Sequence, residues 1–377
     1  MLNSILYLFI LSITRFMQIV NVSLAIIKNQ ISYYPPSISA LEKKFSLITG
    51  TKHALTFCNA TSAIEAALFA GGIKNGSIVG TTAFVIPSSY SSVKSLSAEV
   101  SYIDINPETL NFETNFLLDN KKKLDALIVT HFYGVPCNMS LIMDWAIQNN
   151  VFVIEDCSHA HGAKHKDQPL GSWGDIGVFS LQGAKAVAAG EGAVAISSNS
   201  RTINSMAAYG HQESYKKFKF GTSENNLPSF GYGKKMRAHP LGAVLAIEDL
   251  KRLPSKNKVF HSWFSQIQII SEGSTNFSLP LIKEGDEIGG YCQGLPLIVK
   301  DKTSASELIK KLKAIKINCF QRDYSQTLEE YSNLSMLNIQ KALPQTIRAF
   351  DNVIFIPFNQ FILPWRWFYL KRILKDF

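Results

Sequence analysis

The sequence predicts an α/β domain built on a largely parallel sheet, followed by a smaller α+β domain. Three observations carry this. From about residue 50, short β-rich runs alternate with helical stretches. One of those runs, Ala126–Thr130, is apolar without interruption, as a strand covered on both faces must be. After about residue 245 the alternation stops.

Met1–Ile27 is strongly apolar, with Ile5–Leu11 at its heart, but Arg15 interrupts it. A bilayer span needs about 20 mainly apolar residues, and the stretch ahead of Arg15 is shorter. The basic start and small-residue cleavage site of a signal peptide are not evident. Residues 1–35 are therefore expected to form a buried helix or a poorly ordered leader, with membrane contact by this segment as the alternative. Ala54–Phe57 then reads as a strand and Thr61–Ala70 as an amphipathic helix. Ile78–Phe84 (strand), Ser88–Leu96 (helix) and Val100–Ile105 (strand) follow, each with the periodicity of its type. Ala126–Thr130 is the next strand, Met139–Gln148 a helix and Val151–Ile154 a strand. Ile176–Leu181 and Ala193–Ser197 are two more apolar strands, and the large domain is placed over residues 36–245. Leu241–Arg252 reads as a helix leading into Gly and polar residues. Tyr291–Val299 (strand) and Ser304–Ile315 (helix) belong to a small domain over residues 246–377. Trp365–Phe377, aromatic and basic, reads as a terminal helix packed on that domain, although an interfacial membrane helix has the same composition.

At 46% hydrophobic and 18% charged, the 377 residues belong to a globular chain rather than a disordered one. The net charge of +9 is dispersed. Its densest clusters are Lys216, Lys217 and Lys219, then Lys234, Lys235 and Arg237, then Arg366, Lys371 and Arg372. Dispersed basicity describes a solvated surface that attracts anionic, phosphate-bearing small molecules, and no nucleic-acid partner is expected. Five widely spaced cysteines (Cys58, Cys137, Cys157, Cys292, Cys319) form neither a CxxC pair nor a disulfide framework. No metal site is expected, and the setting is expected to be reducing and cytoplasmic. Cys157 reads as a small core residue.

Ligands gather at the carboxyl ends of strands in open α/β sheets, and Val151–Ile154 ends there in Glu155-Asp156. Cys157-Ser158-His159-Ala160-His161-Gly162-Ala163 follows, small residues with two histidines, of which His161 reads as structural. Then come Gly171-Ser172-Trp173-Gly174-Asp175, Phe179-Ser180, a lysine among small residues (Gly183-Ala184-Lys185), and Gly190-Glu191-Gly192. A lysine so placed is either a surface loop residue or one held beside a ligand. In this order the segments resemble the DegT/StrS-type sugar aminotransferases, a branch of the fold-type-I enzymes that use pyridoxal 5′-phosphate (PLP). His131-Phe132-Tyr133-Gly134, His53–Ala63 and Asp104–Leu110 extend the resemblance, which spans residues 37 to about 250. Each fragment alone is weak; together they are specific.

The resemblance implies a fold-type-I large domain and gives each residue a job. Lys185 would form the Schiff base with the PLP aldehyde and shuttle a proton between substrate and cofactor. Asp156 would pair with the pyridine nitrogen, and His159 would sit against the 3′ oxygen. Ser180 would hold the phosphate, with backbone N–H groups around Ala60 and Thr61 at a helix start. Ile86 would cover the ring. The expected reaction is amino transfer from glutamate or glutamine to a keto group of a nucleotide-linked sugar or cyclitol, in a homodimer. Three departures stand out. The family's S-G-T is Asn59-Ala60-Thr61; its ring-covering aromatic falls at Ile86, unless Phe84 substitutes; its G-x-N-x-R-M is Gly231-Tyr232-Gly233-Lys234-Lys235-Met236. They keep open a protein of this fold that has lost turnover. A sugar dehydratase or an aminobenzoate-forming lyase is the other alternative; such dehydratases typically carry His where this chain has Lys185.

Overall fold

Every apolar run read as a strand between residues 53 and 197 forms one, and all seven join a single sheet. The computed structural model describes residues 2–32, 35–119, 123–211, 232–290, 294–332, 336–357 and 364–377. The chain opens with helices α1 (Leu2–Ile27) and α2 (Pro36–Thr49). The large-domain elements follow as β1 (His53–Phe57), α3 (Ala60–Ala70), β2 (Ile78–Thr82), α4 (Ser88–Ser95), β3 (Glu99–Ile103) and α5 (Asn115–Asp119). Next come β4 (Ala126–Thr130), α6 (Met139–Asn149), β5 (Phe152–Asp156), β6 (Lys164–His165), β7 (Gln168–Pro169), β8 (Ile176–Ser180), β9 (Ala193–Ser197) and α7 (Ser200–Gly210). After α8 (Pro240–Glu272) come β10 (Phe277–Ser278), β11 (Asp286–Glu287), β12 (Leu295–Val299) and α9 (Lys302–Ala314). The chain closes with α10 (Ser325–Ser332), α11 (Met336–Ala342), α12 (Pro344–Asn352), β13 (Val353–Ile356) and α13 (Pro364–Asp376).

The large sheet has the order β1-β9-β8-β5-β4-β2-β3. The strands from β8 to β3 are parallel; β9 and β1 are antiparallel additions at one edge. All five side chains of β4 are buried, as its unbroken apolar run requires. Alternate residues serve opposite faces: Leu127 and Val129 pack with Phe45, Val153 and Phe179, whereas Ala126 and Ile128 pack with Leu55, Ile64 and Ile154. In the small domain β10, β12 and β13 form an antiparallel sheet around a core of Trp263, Leu297, Leu308, Ile354 and Trp367.

Two elements depart from the sequence reading. The helix expected to end at Arg252 continues to Glu272, with Pro254 inside it. An interior proline costs about 3 kcal/mol. Beyond it, however, Phe260, Trp263, Phe264 and Ile267 are buried, each worth about 1.5–3 kcal/mol, so burial outweighs the break. Residue 245 thus lies within one unbroken helix, whose first half (Ala243, Leu250, Leu253) joins the large-domain core and whose second half joins the small-domain core.

The N-terminal segment is only partly buried. It is one 26-residue helix that runs through Arg15, whose guanidinium donates to Gln18 Oε1 at 2.8 Å. By length and composition α1 could cross a membrane. Only one stripe of it is buried, against α8. There Asn3 donates to Ser262 Oγ (2.6 Å), Gln18 to the Leu245 carbonyl (2.9 Å) and Asn21 to Glu248 (3.0 Å). Helix α13 packs on α8 as expected, through Trp367, Leu370 and Leu374. The Lys216, Lys217 and Lys219 cluster, Gly231, Tyr291 and Cys292 lie outside the described residues; Cys58, Cys137, Cys157 and Cys319 are free thiols.

Candidate active site

Asp156 ends β5, in register with Thr130 of β4 and Val178 of β8, at the carboxyl edge of the parallel strands. Its carboxylate is buried and pre-oriented: Oδ1 accepts the Ser158 N–H (3.1 Å) and Oδ2 the Ser89 hydroxyl (3.0 Å). A carboxylate can accept about four hydrogen bonds, so these two leave room for a ligand N–H. Ser89 escapes a reading of the sequence because α4 looks like an ordinary polar helix. Its first turn in fact faces the strand ends.

His159 is set by a strained turn. Tyr133, in the His131–Gly134 segment, has the left-handed backbone φ 51, ψ 26, rare for an aromatic residue and found mainly where surroundings enforce it. The next residue, Gly134, has φ +83, and a Cβ there would sit 1.9 Å from the Gly289 carbonyl oxygen, so only glycine fits. The turn directs the Tyr133 N–H at His159 Nδ1 (3.4 Å). With Nδ1 accepting, the proton of the neutral ring is assigned to Nε2. Burial first, then the positive charges of Lys185 and Arg322, hold His159 well below the ordinary histidine range, so the ring stays neutral. Phe132, which carries no signal of its own in the sequence, stacks on it with centroids 5.4 Å apart.

Lys185 lies in the loop between β8 and β9 and is buried. Its backbone N–H bonds the Gln182 carbonyl (2.8 Å). On the far side, helix α8 grips the loop. Asp249 accepts the Ala188 N–H (3.0 Å), Lys256 donates to the Ala186 carbonyl (2.9 Å), and the two side chains pair at 2.8 Å, each 5% exposed.

Lys185, Asp156, His159, Ser180, Ala60, Thr61 and Ile86 all line one cavity of about 220 Å³, together with Phe132, Ser89, Gln182 and Glu191. Ala60 and Thr61 open α3, whose first-turn N–H groups have no intrahelical acceptor and carry the positive end of the dipole. Asn59 caps the same end, accepting the Ser62 N–H at 2.8 Å. Ala60 is helical, so no positive φ calls for a glycine there. Phe84 does not replace the missing ring cover: it is buried against Phe132 and Phe350, away from the cavity. At the third departure, Lys234 is tied to Glu65 and Tyr209, and Lys235 bridges to His211 through its backbone. An amine, a carboxylate and an anion-binding helix end on one cavity fit an aldehyde, a ring nitrogen and a phosphate, the three handles of PLP.

Glu155, the neighbour of Asp156, points away from the cavity and builds the frame. It accepts N–H groups of Gly171 (2.8 Å), Trp173 (2.7 Å) and Gly174 (2.8 Å), and meets His131 Nε2 at 3.1 Å. His131 Nδ1 accepts the Cys137 N–H at 3.1 Å. His131, Glu155 and Cys157 cluster within 4.8 Å. Their polar atoms are nonetheless committed to the protein, and burial pushes the Cys157 thiol up to about 12. The cluster is structural, and Cys157 is a core residue, as its apolar sequence setting implies.

Two further histidines make stability acid-sensitive. Burial, ahead of any charge, pushes His161 and His211 down to about 3. Between that value and an unfolded value near 6.5 the unfolded chain binds more protons, so stability rises with pH. Lowering the pH from 6.5 to 5 is expected to cost about 1.6 kcal/mol in all for each histidine, the slope rising from about 0.7 toward about 1.4 kcal/mol per pH unit. Urea titrations across that window measure this, and His211→Leu should flatten the slope by one such share. An unchanged slope in the variant would refute the assignment.

A model of the DegT/DnrJ/EryC1/StrS aminotransferase family matches residues 17–362. The chain is 34% identical over 169 residues to a GDP-perosamine synthase of Escherichia coli O157:H7, covering 44% of this chain and 46% of that one. The chain spans about half the length of the curated relatives it matches. Among solved structures, an aminotransferase from Psychrobacter cryohalolentis superposes with a TM-score of 0.80 at 25% identity, over 90% of both chains. A 3-amino-5-hydroxybenzoic acid synthase, at 17% identity, shares the fold, with a TM-score of 0.84 over 96% of this chain and 95% of that one.

Proposed function

The chain belongs to the DegT/DnrJ/EryC1/StrS aminotransferase family, and we propose that it is a PLP-dependent aminotransferase. It moves an amino group from glutamate or glutamine to the keto group of a nucleotide-linked sugar or a cyclitol. The observation that carries this reading is the convergence of the Lys185 amine, the Asp156 carboxylate and the N-terminus of α3 on one cavity.

Bound there, PLP supplies an aldehyde that condenses with amines and a ring that draws electrons from an adjacent carbanion. The chain supplies the rest. Lys185 Nζ takes and returns the proton, from a loop whose backbone is fixed by Asp249 and Lys256. Asp156, held by Ser89 and Ser158, would pair with the ring nitrogen. His159, neutral with its proton on Nε2, donates a hydrogen bond rather than adding charge. Ser180 and the first turn of α3 take the phosphate. Ile86 and Phe132 exclude water from the ring. Lys185, where the family's sugar dehydratases typically have His, supports amino transfer over the lyase alternative.

We place the active unit as a homodimer in a reducing cytoplasm, supported by the resemblance and by four free thiols among the described residues. The test of the reaction is a half-turnover. Protein supplied with PLP is mixed with glutamate or glutamine, and the visible band of the lysine-linked cofactor is followed. Its loss with donor, and its return on adding a nucleotide-linked keto sugar or a keto cyclitol, is the expected result. A band unmoved by any amino donor would overturn amino transfer and leave the lyase or the inactive protein.

A further inference from the structure

We propose that α1 and α13 together form a surface that lies on an anionic lipid bilayer. Helix α1 is apolar on its outward side as well as toward the core. A helix on a protein in water turns its apolar side inward. Here the buried stripe mixes Tyr7, Ile10 and Ala25 with Ser4, Thr14 and Gln18, and Asn3, Gln18 and Asn21 are bonded to α8. The outward side carries Ile5, Phe9, Phe16, Ile19 and Ile27, which are 55%, 62%, 65%, 67% and 78% exposed. Those bonds, with Tyr7 packed on Trp263, fix the orientation, so the exposed apolar side stays outward whenever the protein is folded.

The neighbouring helix selects the occupant. Helix α13 touches both α8 and α1 and exposes Trp365, Phe368 and Tyr369 along with Arg372 and Lys375. Aromatic rings with basic side chains suit the headgroup layer, where rings sit at the boundary and cations meet lipid phosphates. Helix α1 contains no acidic residue and α13 only Asp376. A symmetric contact with a second copy would set two basic faces against each other, whereas an anionic bilayer complements them. The helix lies on the bilayer and does not span it, because spanning would strip Asn3, Gln18 and Asn21 of their bonds to α8.

The test is flotation of the full chain with vesicles of phosphatidylcholine alone or mixed with phosphatidylglycerol. The expected result is flotation with the mixed vesicles, released by salt. Phe9→Ser/Phe16→Ser/Ile19→Ser and, separately, Arg372→Glu/Lys375→Glu should each weaken binding at least about tenfold, with circular dichroism and PLP absorbance unchanged. The second pair changes only exposed charges and guards against misfolding of the first set. Failure to float with either vesicle, or flotation indifferent to both variants, overturns the proposal. So does a mass in solution that halves in the Phe9/Phe16/Ile19 variant, which gives the face to a second copy. Resistance to alkaline carbonate would assign a span and equally overturn it.

Discussion

Replacing Lys185 with alanine is expected to lower amino transfer by about 10⁴-fold or more while leaving the fold intact. Among the described residues lining the cavity, Lys185 brings the only amine, so no neighbour can take over both the covalent link and the proton. The loop should survive the change because its anchors are backbone groups: Lys185 N–H to Gln182, Ala186 to Lys256, and Ala188 to Asp249. Its neighbours Ala184 and Ala186 are already alanines. Three readings decide the matter: steady-state rate, the visible band after PLP is supplied, and the urea midpoint. Loss of rate and band with an unchanged midpoint is expected. A variant keeping a tenth of the activity would remove Lys185 from the reaction.

The second large effect falls on a residue outside the cavity. Asp249→Ala is expected to destabilise the protein by about 3–5 kcal/mol, because it strands the buried Lys256 ammonium and leaves the Ala188 N–H without its acceptor. Burial lowers the pKa of Lys256 and the Asp249 charge partly restores it, so without Asp249 the lysine is pushed further toward losing its proton. Asp249→Leu/Lys256→Met removes both charges and should recover part of the loss, since replacing a whole buried pair is far cheaper than breaking one. Urea midpoints of wild type, single and double variants measure this. Because the pair grips the Lys185 loop, Asp249→Ala should also reduce kcat with the cofactor bound. If the double variant is as unstable as the single, the stranded charge is not the cause.

What is legible in the sequence follows from burial on both sides. The runs Ala126–Thr130 and Ala193–Ser197 match their strands to the residue, because a strand covered on both faces selects mainly apolar side chains. The cofactor-binding candidates are legible as an order of segments, and the fold gathers them in one cavity. What stays hidden is long-range. Pro254 reads locally as a helix stop, and only the small-domain core explains why α8 ignores it. Arg15 reads as a break in an apolar stretch, although the helix runs through it. Helix α2 escapes notice because its buried positions, Ile38, Leu41 and Phe45, make sense only against the sheet it covers. Ser89 and Asp249 carry no local signal, since each matters through a partner more than 60 positions away.

The unbroken course of α8 bears on how far this protein can be treated as modular. At 33 residues it is about 50 Å long, and it supplies apolar side chains to two cores that the sequence assigns to separate domains. A chimera joined at residue 245, or a truncation there to isolate either half, would sever that helix and leave Leu250 or Trp263 without its packing partners. Recombination between relatives would then preserve folding when its crossovers avoid residues 240–272, and the two cores are inherited as one unit.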